Sequence, residues 1–151
     1  MVAVAAAAAF AGLFPATDAA ATEQVVVDWH TGLAISGFDP VAYFTKGAPE
    51  QGQAAFECTF AGVVWRFRNS GNREAFIADP DVYVPRFGGY DLVALARGVS
   101  TPGNPRYWLV VEERLYLFFD GDSRAAFAAE PERFVAEAEE QWPQVLRTLE
   151  P

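Results

Sequence analysis

The stretch FECTFAGVVWRFRNSGNREAFIADPDVYV, residues 56–84, is followed 51 residues later by YWLVVEERLYLFFDGDSRAAFAAEPERFV, residues 107–135. The two stretches align without a gap, and residues of like chemistry coincide at many positions in the same order. The clearest coincidences are Trp65 with Tyr116, Phe67 with Phe118, Arg73 with Arg124, Phe76 with Phe127 and Pro80 with Pro131. So many ordered matches predict that the fold is built from one unit used twice.

A shorter pair of similar stretches precedes the two aligned ones. GFDPVAYF begins at Gly37 and GYDLVALA begins at Gly89, so a single-residue insertion or deletion joins the two registers. We therefore predict an internal duplication with half-repeats at about residues 37–85 and 89–143. Two copies are too few for a solenoid, and the halves are expected to share one core.

Each half-repeat carries the pattern of a β-hairpin followed by helices. The alternating runs VVWRF and RLYLF are typical of half-buried strands, and each follows another apolar run across a tight connection. Ser70 and Asp122 are candidate N-caps for the next helix. A proline then begins a further helix, which in the second half should run from Pro131 to about Trp142. The predicted fold class is α+β, with one small mostly antiparallel sheet and short helices packed on it.

The composition limits the classes of partner. The chain has 151 residues, 52% of them hydrophobic, which is enough for a single packed domain. Its formal net charge of −9 argues against a nucleic-acid partner, because phosphate binding requires concentrated Lys and Arg. The sequence also lacks an apolar run long enough for a membrane span.

The first residues differ from the rest. The apolar, Ala-rich run Val2–Phe14 has the length of a signal-peptide core, and Ala19-Ala20-Ala21 resembles a cleavage site, although no basic residue precedes the run. We predict a signal peptide at residues 1–21 and a single domain at residues 22–151. The mature protein would then be periplasmic or secreted, without stable membrane insertion after signal removal.

Few residues could bind a soft metal ion or act as a nucleophile. The only His is His30, and the only Cys is Cys58, which lies between two Phe residues in a strand-like run and is expected to be an inert buried thiol. No phosphate-binding loop or nucleophile elbow is visible, so the sequence gives no support for an enzyme.

The alignment places two acids, Asp39 and Asp91, at equivalent positions. Asp39 and Asp91 follow the paired glycines, and Tyr43 and Tyr90 lie beside them. If the halves pack about a pseudo-twofold axis, these four side chains could form a ligand-binding site. The alternative is that Asp39, which precedes Pro40, is an ordinary helix N-cap and that Asp91 caps the matching turn.

The strings GFDPVAYF, VVWRFRNSGNREAFIADPDVYVPRFGGY and LYLFF resemble the YHS-domain family, specifically its exported bacterial members, over roughly residues 32–143. The resemblance implies an association with transition metals. The family's Tyr-His-Ser triplet would fall on Tyr43-Phe44-Thr45, where Phe44 replaces the imidazole. Asp91 stands where many relatives carry Cys. Both soft ligands that the resemblance would supply are therefore replaced.

Three classes of function follow from this reading. The first is a non-catalytic exported binding module for a small ligand or a protein partner. Its pocket would be lined by aromatic residues: Trp29, Phe38, Tyr43, Tyr90 and Tyr107. The second is a copper- or zinc-handling accessory protein, in which a transition-metal ion would be the cofactor that the resemblance implies. The third is an enzyme of unknown class.

Overall fold

The computed structural model describes residues 24–149. Within that range the fold is α+β, with two small antiparallel sheets, six α-helices and two short 3₁₀ segments. None of the helices in this range combines the length and apolar character that crossing a bilayer requires. The N-terminal stretch that the sequence predicts to be a signal peptide lies outside the described residues.

The first half contains a hairpin and three α-helices. In chain order these are α1 (Ala42–Thr45), β1 (Gln53–Phe60), β2 (Val63–Phe67), α2 (Ser70–Ala78) and α3 (Pro80–Tyr83). A 3₁₀ segment, Ile35–Gly37, precedes α1.

The second half has the same order of elements with a much longer last helix. It comprises α4 (Leu92–Leu95), β3 (Asn104–Val111), β4 (Arg114–Phe118), α5 (Gly121–Ala129) and α6 (Pro131–Leu149). A 3₁₀ segment, Arg86–Gly89, precedes α4.

The expectation of one shared sheet is wrong, because each hairpin forms its own two-stranded sheet. The outer edge of β2 pairs with a short extended segment instead of with the other hairpin. There Leu33 forms a parallel bridge to Val64, and the backbone N–H of Ala34 donates to the Val64 carbonyl at 2.9 Å. The two hairpins therefore meet through side chains and not through a backbone ladder.

Helix α6 extends beyond the predicted end near Trp142 and continues through Pro143 to Leu149. Proline inside a helix removes one backbone hydrogen bond and ordinarily ends or kinks the helix. Here the side chains on both sides of it, Trp142 and Val145, are buried, and α6 packs on α4. Burial of this apolar face offsets the missing hydrogen bond.

The caps of the two middle helices also differ from the prediction. Asn69, not Ser70, caps α2 by accepting a hydrogen bond from the backbone N–H of Asn72. Asp120, not Asp122, caps α5 by accepting one from the N–H of Ser123. The N-cap residue needs extended backbone angles, which Asn69 and Asp120 have, whereas Ser70 and Asp122 are already helical.

Strand β4 lies between two hydrophobic clusters. Its residues Leu115 and Leu117 pack into a first cluster with β2 and α2, whereas Tyr116 and Phe118 pack into a second cluster with α4, α5 and α6. This division follows from the alternation of side chains along a strand. Strand β4 therefore joins the two halves into one interior.

Phe76 of α2 and Phe127 of α5 lie at the centres of the two clusters, and both are buried, as predicted. The ring centroid of Phe76 lies 5.1 Å from that of Trp65, and the Phe127 centroid lies 4.9 Å from that of Tyr116. Each helix is thus held against its own hairpin by one aromatic side chain.

Candidate functional site

Asp39 is fully buried and its carboxylate is saturated with hydrogen bonds. One oxygen accepts from the backbone N–H groups of Val41 and Ala42, at 2.8 and 3.3 Å. The other accepts from the N–H of Arg68 at 2.8 Å and from the side-chain amide of Asn72 at 2.7 Å. The carboxylate therefore caps the turn that begins α1 and fixes that turn to the end of β2.

Asp91 does the same in the second half, where it is also fully buried. One oxygen caps α4 by accepting from the N–H of Ala94 at 3.0 Å, and the other accepts from the N–H of Phe119 at 2.7 Å. Each of the two aspartates thus bonds within its own half. Asp91 is therefore the N-cap of α4, as the alternative interpretation predicted, whereas the N-cap position of α1 is Val41 and Asp39 caps only the turn before it.

The two tyrosines also lie apart from any described cavity. Tyr43 is buried, and its hydroxyl donates to the carbonyl of Pro105 at 2.8 Å, which links α1 to β3. Burial raises the pKa of Tyr43, and the nearby Asp39 carboxylate raises it further. Tyr90 is half-buried against Trp142 of α6, with ring centroids 6.0 Å apart.

The aromatic residues expected to line one pocket are dispersed. Phe38 belongs to the core, whereas Trp29 is 85% exposed on a turn with His30. Tyr107 is also on the surface. The expectation of a pocket shared by these side chains is therefore wrong. Cys58 is half-buried and packs against the first cluster, where burial raises the pKa of its thiol.

The residues at the positions suggested by the resemblance do not fit a copper or zinc ion. Phe44 packs edge-on against Tyr83, with ring centroids 5.4 Å apart, and carries no ligand atom. The Asp91 oxygens already serve backbone donors. Across residues 24–149, no three or more His, Cys, Asp or Glu side chains are grouped closely enough to hold a metal ion.

A cavity of about 290 Å³ lies where the turn of the second hairpin meets α5 and the first turns of α6. We call it the α6 pocket. Its apolar wall comprises Val111, Tyr116, Phe127, Pro131, Val135 and Ala136. The volume is at the lower end of the range for small-molecule sites, and the mixture of apolar surface with a few polar groups is typical of them.

Three carboxylates form the rim of the α6 pocket. They belong to Glu112 at the hairpin turn and to Glu132 and Glu139 on α6. The guanidinium of Arg86 pairs with Glu139 at 3.1 Å, and its buried Nε has no hydrogen-bond partner among residues 24–149. No Lys, Arg or His is among the described residues that line the cavity itself. The rim is therefore negatively charged.

Tyr116 supplies a phenol at the base of the pocket. It is 7% exposed. Burial raises the pKa of Tyr116, and the neighbouring guanidinium of Arg86 lowers it by a smaller amount. The phenol consequently stays protonated at neutral pH and can donate or accept a hydrogen bond.

The backbone at the rim is strained. Glu112 and Glu113 both adopt left-handed angles, with φ of 50° and 59°, in the two-residue turn between β3 and β4. Such turns favour Asn or Gly, because side chains with a Cβ are penalised at positive φ. Glu112 and Glu113 therefore occupy this turn at an energetic cost. Strained backbone of this kind is often found at functional sites.

A second, larger groove of about 410 Å³ also has Glu112 in its lining. It is bounded by Phe44, Val82 and Tyr83 from the first half and by Glu113 and Arg114 from the second. Arg114 donates to the carbonyl of Asp81 at 2.8 Å, which ties the turn to α3. Three of its six lining residues are charged, against three of nine in the α6 pocket, and the guanidinium of Arg114 is already bonded.

The sequence reasoning missed the α6 pocket, although the two aligned copies contain a signal for it. Val111 aligns with the larger Phe60, and Tyr116 aligns with the larger Trp65. The side chains of Val111 and Tyr116, which line the pocket, are therefore smaller than those of the aligned residues. Only the packing of the folded chain determines whether smaller side chains leave a cavity.

Comparison with known proteins adds no assignment. No protein-family model matches the sequence, and it has no significant match among curated proteins or solved structures.

Proposed function

We propose that this protein is an exported, non-catalytic YHS-like module that binds a small ligand in the α6 pocket. The observation that carries the proposal is the difference in packing between the two hairpins. Equivalent aromatic positions are filled in the first half, whereas smaller side chains leave an accessible cavity in the second.

In the first half the corresponding space is occupied by the protein's own side chains. Phe60 packs edge-on against Phe76, with ring centroids 5.7 Å apart, and Trp65 is fully buried. The indole N–H of Trp65 donates to the Phe60 carbonyl at 3.1 Å. At the equivalent end of the second hairpin, Val111 pairs with Arg114 just as Phe60 pairs with Val63. The first half is closely packed at this end of its hairpin, whereas a cavity lies beside Val111 in the second half. This difference in packing supports a role of the cavity in binding.

The comparison between halves depends on their duplication, which is part of the proposal. Its first support is the pair of carboxylate links described above. Asp39 bonds to the N–H of Arg68, and Asp91 bonds to the N–H of Phe119. These partners coincide in the alignment of the two copies.

Its second support is a pair of close glycine contacts. The N–H of Gly52 donates to the carbonyl of Gly37, and the N–H of Gly103 donates to the carbonyl of Gly89, both at 2.9 Å. A Cβ at Gly52 or Gly103 would lie 2.5 Å from backbone atoms, so both positions require glycine. The same four residues coincide in the alignment of the copies.

Binding rather than catalysis is favoured by the groups in the pocket. The carboxylates on its rim are exposed, and the Tyr116 phenol has a raised pKa. A phenol whose pKa is raised by burial is not activated as a nucleophile.

The test is a fragment screen by ¹H–¹⁵N NMR on the wild type and on Val111→Phe, which places a second Phe where the first half has Phe60. We expect fragments that shift the amide resonances of Tyr116, Val135 and Ala136 in the wild type and not in the variant. A diverse library that shifts none of these resonances contradicts the proposal, as do shifts that persist in the folded variant.

Export is the part of the proposal that concerns residues 1–21. It is supported by the apolar run and the Ala19-Ala20-Ala21 site in the sequence. Intact mass spectrometry of the protein from its own host should give an N-terminus near Thr22. A mature protein that begins at Met1 contradicts export by a cleaved signal.

A further inference from the structure

We infer that the ligand of the α6 pocket is a small aromatic molecule with one positive charge on a short alkyl arm, that is, an arylalkylamine. This inference rests on the proposed function and adds the chemical class of the ligand. It is drawn from the side chain that fills the equivalent space in the first half and from the charge of the rim.

The aromatic ring of the proposed ligand is inferred from the place of Phe60 in the first half. In the first half a benzyl side chain lies edge-on against Phe76 at the end of the hairpin. In the second half Val111 stands at that position, and the cavity opens beside Phe127 and Tyr116. A single ring in the cavity would take the place that the Phe60 ring has beside Phe76 in the first half. The cavity of about 290 Å³ has room for one ring and a short arm.

The positive charge of the proposed ligand is inferred from the carboxylates at the rim of the α6 pocket. Glu112, Glu132 and Glu139 surround the cavity, and Arg86 offsets one of them by its bond to Glu139. The other guanidinium near Tyr116 belongs to Arg114, which is bonded to the carbonyl of Asp81 beside the neighbouring groove. The local charge is therefore negative even when both arginines are considered. The chain's net charge of −9 also favours the approach of a cation.

The orientation follows from the depth of these groups. The aromatic wall lies at the base, where Phe127 is fully buried and Tyr116 nearly so, whereas the carboxylates are exposed at the rim. An arylalkylamine can bury its ring against Tyr116, behind which Phe127 packs, while its ammonium group stays partly hydrated beside Glu112 and Glu132. Such a pose avoids the cost of burying an unpaired charge.

The test compares three probes of similar size by isothermal titration calorimetry on the full chain. They are 2-phenylethylamine, the neutral 2-phenylethanol and the anionic 3-phenylpropanoate. We expect the amine to bind about tenfold or more tightly than the anion, with an affinity that falls as NaCl is raised. The double variant Glu112→Gln, Glu132→Gln should weaken amine binding several-fold and leave binding of the alcohol unchanged. Val111→Phe should abolish binding of all three probes.

The outcomes separate this inference from the proposed function. Equal or tighter binding of the anion or the alcohol overturns the assignment of a cation while the pocket remains a ligand site. If none of the three probes binds although the fragment screen finds other ligands at Tyr116, the arylalkylamine class is wrong and the binding function stands. If probes and fragments both fail, the proposed function fails with it.

Discussion

The carboxylate of Asp91 accepts a hydrogen bond from the backbone N–H of Phe119 at 2.7 Å and so ties the start of α4 to the end of β4. The other oxygen of this carboxylate caps α4 by accepting a hydrogen bond from the backbone N–H of Ala94. A buried acid that satisfies two separate backbone donors holds together segments that lie far apart in the chain. Asp39 has this role in the first half, with one more side-chain donor, Asn72.

We therefore expect Asp39→Asn and Asp91→Asn to lower the free energy of unfolding by about 1–3 kcal/mol each, with Asp39→Asn the more harmful. An amide cannot accept at both ends, so at least one buried donor loses its partner. Urea denaturation at neutral pH measures the effect, and the exposed Asp122→Asn is the matched control. Stability equal to the control for both buried variants would contradict the structural role of these carboxylates.

Exchanging the side chains at the aligned positions Phe60 and Val111 should change the stability of the fold in opposite directions. Val111→Phe should raise the free energy of unfolding by about 1 kcal/mol, because the new ring fills the α6 pocket. Phe60→Val should lower it by about 1–2 kcal/mol, because it opens the equivalent space beside Phe76. Chemical denaturation of both variants checks this, and a Val111→Phe variant less stable than the wild type would show that the two spaces are not equivalent.

The turn at the rim should gain stability when its strain is relieved. Glu113→Gly places the residue that tolerates positive φ where Glu113 now has φ of 59°, and should stabilise the fold by about 1 kcal/mol. The matched control is Gly62→Ala in the first hairpin, where φ is 76° and no atom lies within 4 Å of the added Cβ. That change should cost about 1 kcal/mol through the backbone alone. Thermal denaturation that shifts in the same direction for both variants would refute the argument from strain.

The aromatic side chains at the centres of the clusters should be the most sensitive to truncation. Phe76→Ala and Phe127→Ala each remove a buried ring and should cost about 3–5 kcal/mol. Small domains are stabilised by only about 5–15 kcal/mol, so either variant should be close to unfolding. Circular dichroism with urea titration measures this, and Phe119→Ala, whose side chain is 56% exposed, is the control. A cost below about 1 kcal/mol would show that the ring is not part of the core.

The stability of the fold should fall in alkaline solution, partly through Tyr43. Burial raises the pKa of Tyr43 above the ordinary value of 10.0, so the folded state holds the phenolic proton more tightly than the unfolded state does. The resulting stabilisation is complete below pH 10 and is lost progressively as the pH rises above that value. The half-buried phenol of Tyr90 and the buried phenol of Tyr116 also have raised pKa values and act in the same direction.

Tyr43→Phe removes both this dependence and the hydrogen bond to Pro105, which is worth about 0.5–1.5 kcal/mol. We expect the variant to be less stable than the wild type at pH 8, with the gap closing as the pH approaches 11. Urea titrations at pH 8, 9, 10 and 11 would reveal this pattern. A gap that stays constant over the whole series would contradict the role of Tyr43 in the alkaline response.

Much of the local structure was predictable from the sequence because it depends on short-range patterns. Alternation of apolar side chains identified β2 and β4, and the aligned copies placed Phe76 and Phe127 on inward-facing helix positions. The end of α6 was not predictable in this way. Pro143 is a local signal to stop, and it is overridden by the burial of Trp142 and Val145 against distant parts of the chain.

The candidate site shows the same division. The sequence by itself determined which residues are chemically notable, including Asp39 and Asp91, and how the two copies align. Only the tertiary structure decided that the two carboxylates are saturated by the N–H groups of Arg68 and Phe119. It also decided that the smaller side chain at Val111 leaves a cavity. The physical reason is that alternation and capping act between near neighbours in the chain, whereas hydrogen-bond saturation and empty volume depend on the relative placement of several separate elements.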